Sequence, residues 1–333
     1  MNLSNLRSKI ILSALIGLGV VIAIGLFSDI RAVGRDFSTF RWSLLPAILG
    51  LTVFNYWLRW LKWDYYLRHL NLGSGVSRGA SGTIFMAGLV MSVTPGKLGE
   101  VLKSYLLRQM NGTPISRSAP IVLAERLTDG LAMLLLMALG LTLYPPARPV
   151  FAFLVVATLI GVVVVQYRPL CEAILRRLGE VPFGAKIAPK LETIYQSTYQ
   201  LLDWRILTIS TIISVISWGA ECIALYLVLI GLGVEPGWLL LLQATFVFAA
   251  STLFGLVSFL PGGLGVSEAS SVGLLVALSG LSTSAATTAT IVIRFCTLWF
   301  GVLLGVVALA RFSARIGGTP SPDDTQSALP ADG

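Results

Sequence analysis

Several stretches, among them Ile10 to Phe27, Val150 to Gln166 and Gly237 to Leu260, run without a single charged residue. About 20 consecutive apolar residues cross the hydrocarbon core of a bilayer as a helix. Inside that core the backbone must satisfy its own amide groups, which a helix does within one segment. The expectation is therefore an all-α polytopic membrane protein. Mean hydropathy is +0.83 and only 12% of residues are charged. No water-soluble domain is left over, the longest polar stretch being Tyr167 to Arg205. Residues 1–312 read as a single membrane domain and 313–333 as a disordered, Pro-rich tail. The first 27 residues have basic residues before an apolar core but no small-x-small cleavage site, and read as an uncleaved helix.

The net charge of +8 is not a nucleic-acid footprint, because most Lys and Arg flank membrane segments. There they orient the chain and meet anionic headgroups. Cys171, Cys222 and Cys296 lack paired spacing and read as buried small side chains. His69 is the single histidine, which argues against a His-based zinc site or catalytic triad. No Walker A motif, nucleophile elbow or metal cluster occurs, so neither a cofactor nor a metal is expected.

The sequence Pro-Gly-x-Leu-Gly occurs twice, as Pro95-Gly96-Lys97-Leu98-Gly99 and as Pro261-Gly262-Gly263-Leu264-Gly265, half a chain apart. Tyr66-Leu67…Leu72-Gly73 and Tyr226-Leu227…Leu232-Gly233 repeat at nearly the same offset. So do Ile121 to Arg126 and Ile291 to Arg294. Three blocks in one order point to a duplicated unit, with repeat 1 near 42–143 and repeat 2 near 206–310. Charge bias places both termini in the cytoplasm, with the amphipathic segment 168–205 and its six Lys/Arg on the same side. Each Pro-Gly turn then heads a re-entrant hairpin, beside about six full spans; two tilted full spans, giving eight to ten helices, fit the same topology. The two units enter from opposite faces, which makes them inverted repeats and directs attention to the interrupted segments as a transport site.

The candidate residues follow from that geometry. A Pro-Gly turn followed by a helix offers amide N–H groups and a positive dipole end to an anion, which singles out Gly96, Gly99, Gly262, Gly263 and Gly265. The same turn is also what a tight hairpin requires. Lys97 sits in the first turn, with Glu100 and Lys103 just after it, and Glu268 follows the second. Charges within spans are functional hypotheses by default. Glu125 and Asp129 share a helix face, with Arg126 within reach of Asp129. Arg294 has no acidic neighbour in its helix and needs a partner from elsewhere, Glu221 or else Glu268. Lys97, Lys103, Arg126 and Arg294 are the candidate phosphate-binding groups, since arginine presents a planar fork to phosphate. Glu100, Glu125, Asp129, Glu221 and Glu268 would balance charge or relay protons, or form structural salt bridges. Asn55 and Arg59 are candidates for the same cavity, although Arg59 could also snorkel to the interface.

Asn55…Arg59, Thr94-Pro95-Gly96-Lys97-Leu98-Gly99-Glu100…Lys103, Glu125-Arg126…Asp129 and Pro261-Gly262-Gly263-Leu264-Gly265…Glu268 together resemble the lysylphosphatidylglycerol synthase transmembrane-region family, over residues 10 to 312. The resemblance implies a flippase-like integral membrane protein. In two-part members a cytosolic aminoacyl-transferase domain makes lysyl-phosphatidylglycerol and the membrane region moves it. Only a short tail follows Ala310 here, so the translocation half is implied and a lysyltransferase label is not. The expected function is translocation of an anionic phospholipid, an aminoacylated lipid or a polyprenyl-phosphate-linked lipid in the inner membrane. Its partners would be membrane lipids, with no nucleic acid, and envelope-synthesis enzymes or a second copy of the chain remain open. The rival readings are a lipid-modifying enzyme and a scaffold recruited through Arg168 to Arg205.

Overall fold

The computed structural model describes residues 30–93, 100–180 and 182–316. Among these residues the chain is helical, with no strand. A short helix α1 (Ile30–Thr39) leads into α2 (Leu45–His69). The first hairpin follows, as α3 (Arg78–Gly88) with a 3-10 extension (Leu89–Val93) and α4 (Leu102–Asn111). Then come α5 (Ile115–Gly140), α6 (Arg148–Gln166), α7 (Arg168–Glu180) and α8 (Pro182–Leu201). The second half begins at α9 (Trp204–Gly231) and continues through α10 (Trp238–Val257), a 3-10 turn (Pro261–Gly263) and α11 (Val266–Ser279). It closes with α12 (Thr283–Arg294), a π-helical segment (Phe295–Trp299) and α13 (Phe300–Ile316). That last helix extends past Ser313, where the polar tail composition begins.

Six segments among the described residues are long and apolar enough to span a bilayer: Trp42–His69, Pro145–Gln166, Trp204–Gly231, Trp238–Val257, Pro261–Ser279 and Thr283–Ala314. Helix α5 has 26 residues, about 39 Å of helix, but carries Glu125, Arg126 and Asp129 on its inner length. The protein is an all-α polytopic membrane protein. Its two hairpins differ in reach. The 11 residues of α3 and 10 of α4 give only about 15 Å each, and the 3-10 extension adds about 10 Å to the first arm. Neither arm crosses a core of about 30 Å. In the second hairpin the 20 residues of α10 make about 30 Å by themselves.

The packing of one half is mirrored in the other. Helices α2 and α9 pack together antiparallel, as Thr52 meets Glu221, Asn55 meets Ser217 and Lys62 meets Ser214. Helix α5 lies against α10, and α13 lies against α3. Both crossings are close because a glycine stands at each. A Cβ on Gly140 would come within 2.6 Å of Phe246 Cβ, and one on Gly305 within 2.6 Å of the Val90 backbone nitrogen. The end of the first hairpin's descending arm also meets the second turn, with Val93 Cα 3.3 Å from where a Cβ of Gly262 would stand.

In the second turn Gly263 takes φ 68° and packs against the Gly255 backbone, where a Cβ would stand 2.9 Å from Cα. Gly263→Ala therefore combines left-handed backbone with a backbone clash, and should destabilise the protein by roughly 1–3 kcal/mol. A lower thermal midpoint of the purified protein would show this. An unchanged midpoint would mean that the turn relaxes freely.

Helix α6 buries none of its residues, and presents Phe153, Leu159, Ile160 and Val163 outward, as a lipid-facing helix does. Helices α7 and α8 pack as a pair, and α8 rests on α5. Cys222 and Cys296 are buried free thiols, while Cys171 is half-buried and also free. The N-terminal helix expected over the first 27 residues lies outside the described residues, as does the stretch Thr94 to Gly99 with Gly96, Lys97 and Gly99.

Candidate functional site: a buried charge network beside a hydroxyl-lined cavity

Charge enters the bundle core on three elements. Helix α2 carries Asn55, Arg59 and Lys62 at helical spacing, so the three share one inward face. The return arm of the first hairpin brings Glu100, in the 3-10 turn just before α4, and Lys103 on α4 itself. Helix α5 brings Glu125, Arg126 and Asp129. Lys103 Nζ lies 2.5 Å from Glu125 Oε2 and 3.7 Å from Glu100 Oε2. Its charge also sits 4.7 Å from the centre of the Trp63 ring. Lys62 Nζ donates to Asp129 Oδ1 at 2.6 Å and to Ser214 Oγ at 2.6 Å. Arg126 Nη2 reaches both Glu100 Oε2 (3.1 Å) and Asp129 Oδ2 (3.2 Å).

Glu100 is the hub of this cluster. It faces Arg126, Lys103 and, at 4.0 Å, Arg59. Four cations (Arg59, Lys62, Lys103, Arg126) thus share three carboxylates (Glu100, Glu125, Asp129), an arrangement with positive charge to spare when all are ionised. Buried charges are tolerated only when paired and hydrogen-bonded. Arg126 Nε and Glu125 Oε1 are nonetheless buried without a hydrogen-bond partner, leaving capacity for water or ligand.

The second Pro-Gly turn carries a simpler version of the same pair. Arg294 Nε donates to Glu268 Oε1 at 2.5 Å, and Arg294 Nη2 to the Gly262 carbonyl at 2.9 Å. Arg126–Glu100 and Arg294–Glu268 both join residues 26 apart in sequence, and both tie the helix following a hairpin to the start of that hairpin's return arm.

The two systems meet around a cavity of about 80 Å³. Arg59 and Arg294 line it, together with Asn55, Glu221 and a set of hydroxyls that includes Ser251 and Thr290. A water occupies about 10–15 Å³ by this measure, so the space admits several waters or one small polar group. Arg59 is 6% exposed and lies 5.3 Å from the Trp218 ring centre, so it faces the cavity rather than snorkelling outward. Asn55 donates to the Ser217 carbonyl (2.9 Å) and hydroxyl (2.8 Å), clamping α2 to α9 at the cavity wall. Tyr56 closes one side, its hydroxyl donating to the Thr297 carbonyl within the π-helical segment. Single π turns of this kind free carbonyls from the helix ladder and are frequent at functional sites.

Several sequence-based expectations change here. The partner of Arg294 is Glu268, not Glu221. Glu268 sits in the first turn of α11, directly against the helix that carries Arg294, whereas Glu221 on α9 faces α2 and accepts from the Thr52 hydroxyl at 3.3 Å. The N–H groups of the second turn are engaged within the protein: Gly265 N–H donates to Glu268 Oε2 at 2.6 Å and Gly263 N–H to the Leu260 carbonyl. Gly262 contributes a carbonyl instead, to Arg294. Arg126 and Lys103 do not line the cavity. They lie behind Arg59, linked to it through Glu100.

Lys62 and the hydroxyl lining escaped the sequence reading. Lys62 is fully buried, and its signal was the shared face with Asn55 and Arg59, hidden because it lies near the end of a span where lysines usually orient the helix.

The sequence profile of the Lysylphosphatidylglycerol synthase TM region family matches residues 11–305. A UPF0104 membrane protein of Methanothermobacter thermautotrophicus is 24% identical over 280 residues, covering 77% of this chain and 81% of that protein. A second from the same organism is 26% identical over 242 residues, covering 66% and 69%. A UPF0104 membrane protein of Pyrococcus horikoshii is 24% identical over 281 residues, covering 75% and 82%. With nearly its whole length matched and an all-helical bundle of bilayer dimensions, the chain belongs to the Lysylphosphatidylglycerol synthase TM region family of integral membrane proteins.

Proposed function

We propose that this protein is a lipid translocase that admits an anionic headgroup between its two hairpins while the acyl or polyprenyl tails stay in the bilayer. The observation that carries this reading is the repeated Glu–Arg pair, Glu100–Arg126 and Glu268–Arg294, each joining a hairpin's return arm to the helix that follows it, around a polar cavity. The mirrored helix contacts and the antiparallel α2–α9 pair support a pseudo-two-fold axis in the membrane plane, and so inverted repeats with one hairpin dipping in from each face. The short arms of the first hairpin fit a re-entrant loop. Non-helical backbone at that depth must be enclosed by protein or line a wet cavity, and the second turn does both.

The mechanism uses the carboxylates as tethered stand-ins for a phosphate. In the closed arrangement Glu268 occupies the Arg294 fork and Glu100 the fork of Arg126. A lipid phosphate entering the cavity competes for Arg294 and Arg59, and the displaced carboxylate loosens its hairpin. Because each repeat holds one such pair, opening one side while the other stays latched gives alternating access. Lys97, in the first Pro-Gly-x-Leu-Gly block, is a further candidate cation for the phosphate. Phospholipids, aminoacylated lipids and polyprenyl phosphates share the phosphate that this chemistry selects. The Arg-rich ends of α2, α4 and α7 fit a cytoplasmic side in the inner membrane, with both termini on that side.

Purified protein in liposomes, with headgroup-labelled lipids of each class and quenching of the outer leaflet, tests the reading. Leaflet exchange well above that of empty liposomes is the expected result. Folded protein that exchanges none of the three classes would overturn it, and would favour a scaffold for envelope-synthesis enzymes.

A further inference from the structure

A second cavity, of about 720 Å³, lies where the ends of α2, α6 and α8 meet the start of α9. Three aromatic side chains line it: Tyr65, Tyr199 and Trp204. Each has a basic side chain against its ring. His69 lies 6.4 Å from Tyr65 between centroids, Arg168 4.7 Å from Tyr199, and Arg205 5.2 Å from Trp204. Tyr and Trp gather at the membrane–water boundary because their rings are apolar and their edges polar. The meeting of four helix ends places this cavity at that boundary. Asp203 also lines it, but its carboxylate caps α9 by accepting from Arg205 N–H at 3.0 Å. Arg205 lines this cavity itself, whereas Arg168 reaches the Tyr199 ring from the neighbouring pocket between α7 and α8, where it pairs with Glu172 at 3.6 Å.

The cavity opens onto an apolar track. Ile209 lines its membrane side, and Ile212, Ile216 and Ile223 continue along the same outer face of α9 at helical spacing, each 43–54% exposed. The floor is fixed, since Gln166 Nε2 donates to the Leu202 carbonyl at 2.6 Å and the Tyr195 hydroxyl to the Val165 carbonyl at 3.2 Å. These two bonds join α6 to the α7–α8 unit across the cavity base.

We propose that this cavity is a glycerophospholipid site, separate from the central one, in which Arg168 and Arg205 hold the phosphodiester, the aromatic ring clasps the glycerol region, and an acyl chain lies on the isoleucine face of α9. Cavities of this size enclose a small-molecule headgroup, and an arginine already stacked on an aromatic ring loses little freedom when it binds phosphate. The bound lipid would bridge α2, α9 and the α7–α8 unit, which otherwise rests mainly on α5 and the end of α6. The site requires no translocation and stands or falls independently of the transport reading.

Native mass spectrometry of the full-length protein in detergent, titrated with phosphatidylglycerol, is the test. In the Arg294→Ala background, which removes the central arginine, one retained lipid is expected, with retention about tenfold weaker when the Arg168→Gln/Arg205→Gln double variant is combined with it. Arg294→Ala should keep that lipid, because it acts at the other cavity. Inorganic phosphate should displace the lipid poorly, since it lacks the chain that binds α9. Both arginines are exposed, and an unchanged gel-filtration profile would confirm that the double variant folds. Undiminished retention in the double variant, equal loss in Arg294→Ala, or ready displacement by inorganic phosphate would each overturn the proposal.

Discussion

Lys62→Ala is expected to destabilise the protein by about 3–5 kcal/mol, the cost of removing one partner from a buried ion pair. Lys62 has no exposed surface and is the closest cation to Asp129, at 2.6 Å, while also bonding Ser214 across the α2–α9 contact. Its loss leaves Asp129 with Arg126 as its paired cation, beside the Ser214 hydroxyl at 3.1 Å, and Arg126 is shared with Glu100. The strain would therefore spread through the hub to Lys103 and Arg59. Pairing Lys62→Met with Asp129→Asn should restore much of the loss, because neutral groups of similar size need no compensation. Resistance to unfolding in mixed micelles would be compared across the three proteins. If the double variant is no better than Lys62→Ala, the lysine acts through packing rather than charge.

Arg294→Ala is expected to slow lipid exchange about 10- to 100-fold in liposomes, which corresponds to one or two charge-assisted hydrogen bonds at about 1.5–3 kcal/mol apiece. Arg294 is partly exposed to the cavity and already holds a carboxylate and the Gly262 carbonyl in the orientation a phosphate would use. Glu268→Gln provides the discriminating comparison. If the carboxylate is a stand-in for substrate, weakening it should leave the arginine fork available and retain binding of the anionic lipid. If the pair is only a strut, Glu268→Gln and Arg294→Ala should fail together, with loss of stability matching loss of exchange. Measuring stability and exchange on the same preparations separates the two.

The paired arginines show how far primary structure reaches. Arg126 and Arg294 were marked as equivalent by the blocks around them, and Glu100 and Glu268 by their positions after the Pro-Gly turns. Their joining across hairpins is a long-range event that helical periodicity within one segment does not encode. Glu221 illustrates the limit: it sits mid-span in the same half as Arg294, yet its helix turns it toward Thr52. Local spacing fixes which face of a helix a side chain occupies, but not which neighbour that face meets.

By itself the sequence determined the class and most of the long apolar helices, and pointed to a duplication. Uncharged runs of bilayer length leave only helices with internally satisfied amides, and Gly and Pro mark where those helices must break. Only the tertiary structure decided the pairings, the burial of Lys62, the withdrawal of Lys103 and Arg126 behind Arg59, and the hydroxyl lining contributed by α10 to α12. These depend on crossing distances that glycines such as Gly140 and Gly305 permit, and on antiparallel packing of α2 with α9. A charge in a low-dielectric core takes whichever counter-charge the packing brings within reach, and that choice is made between helices rather than along them.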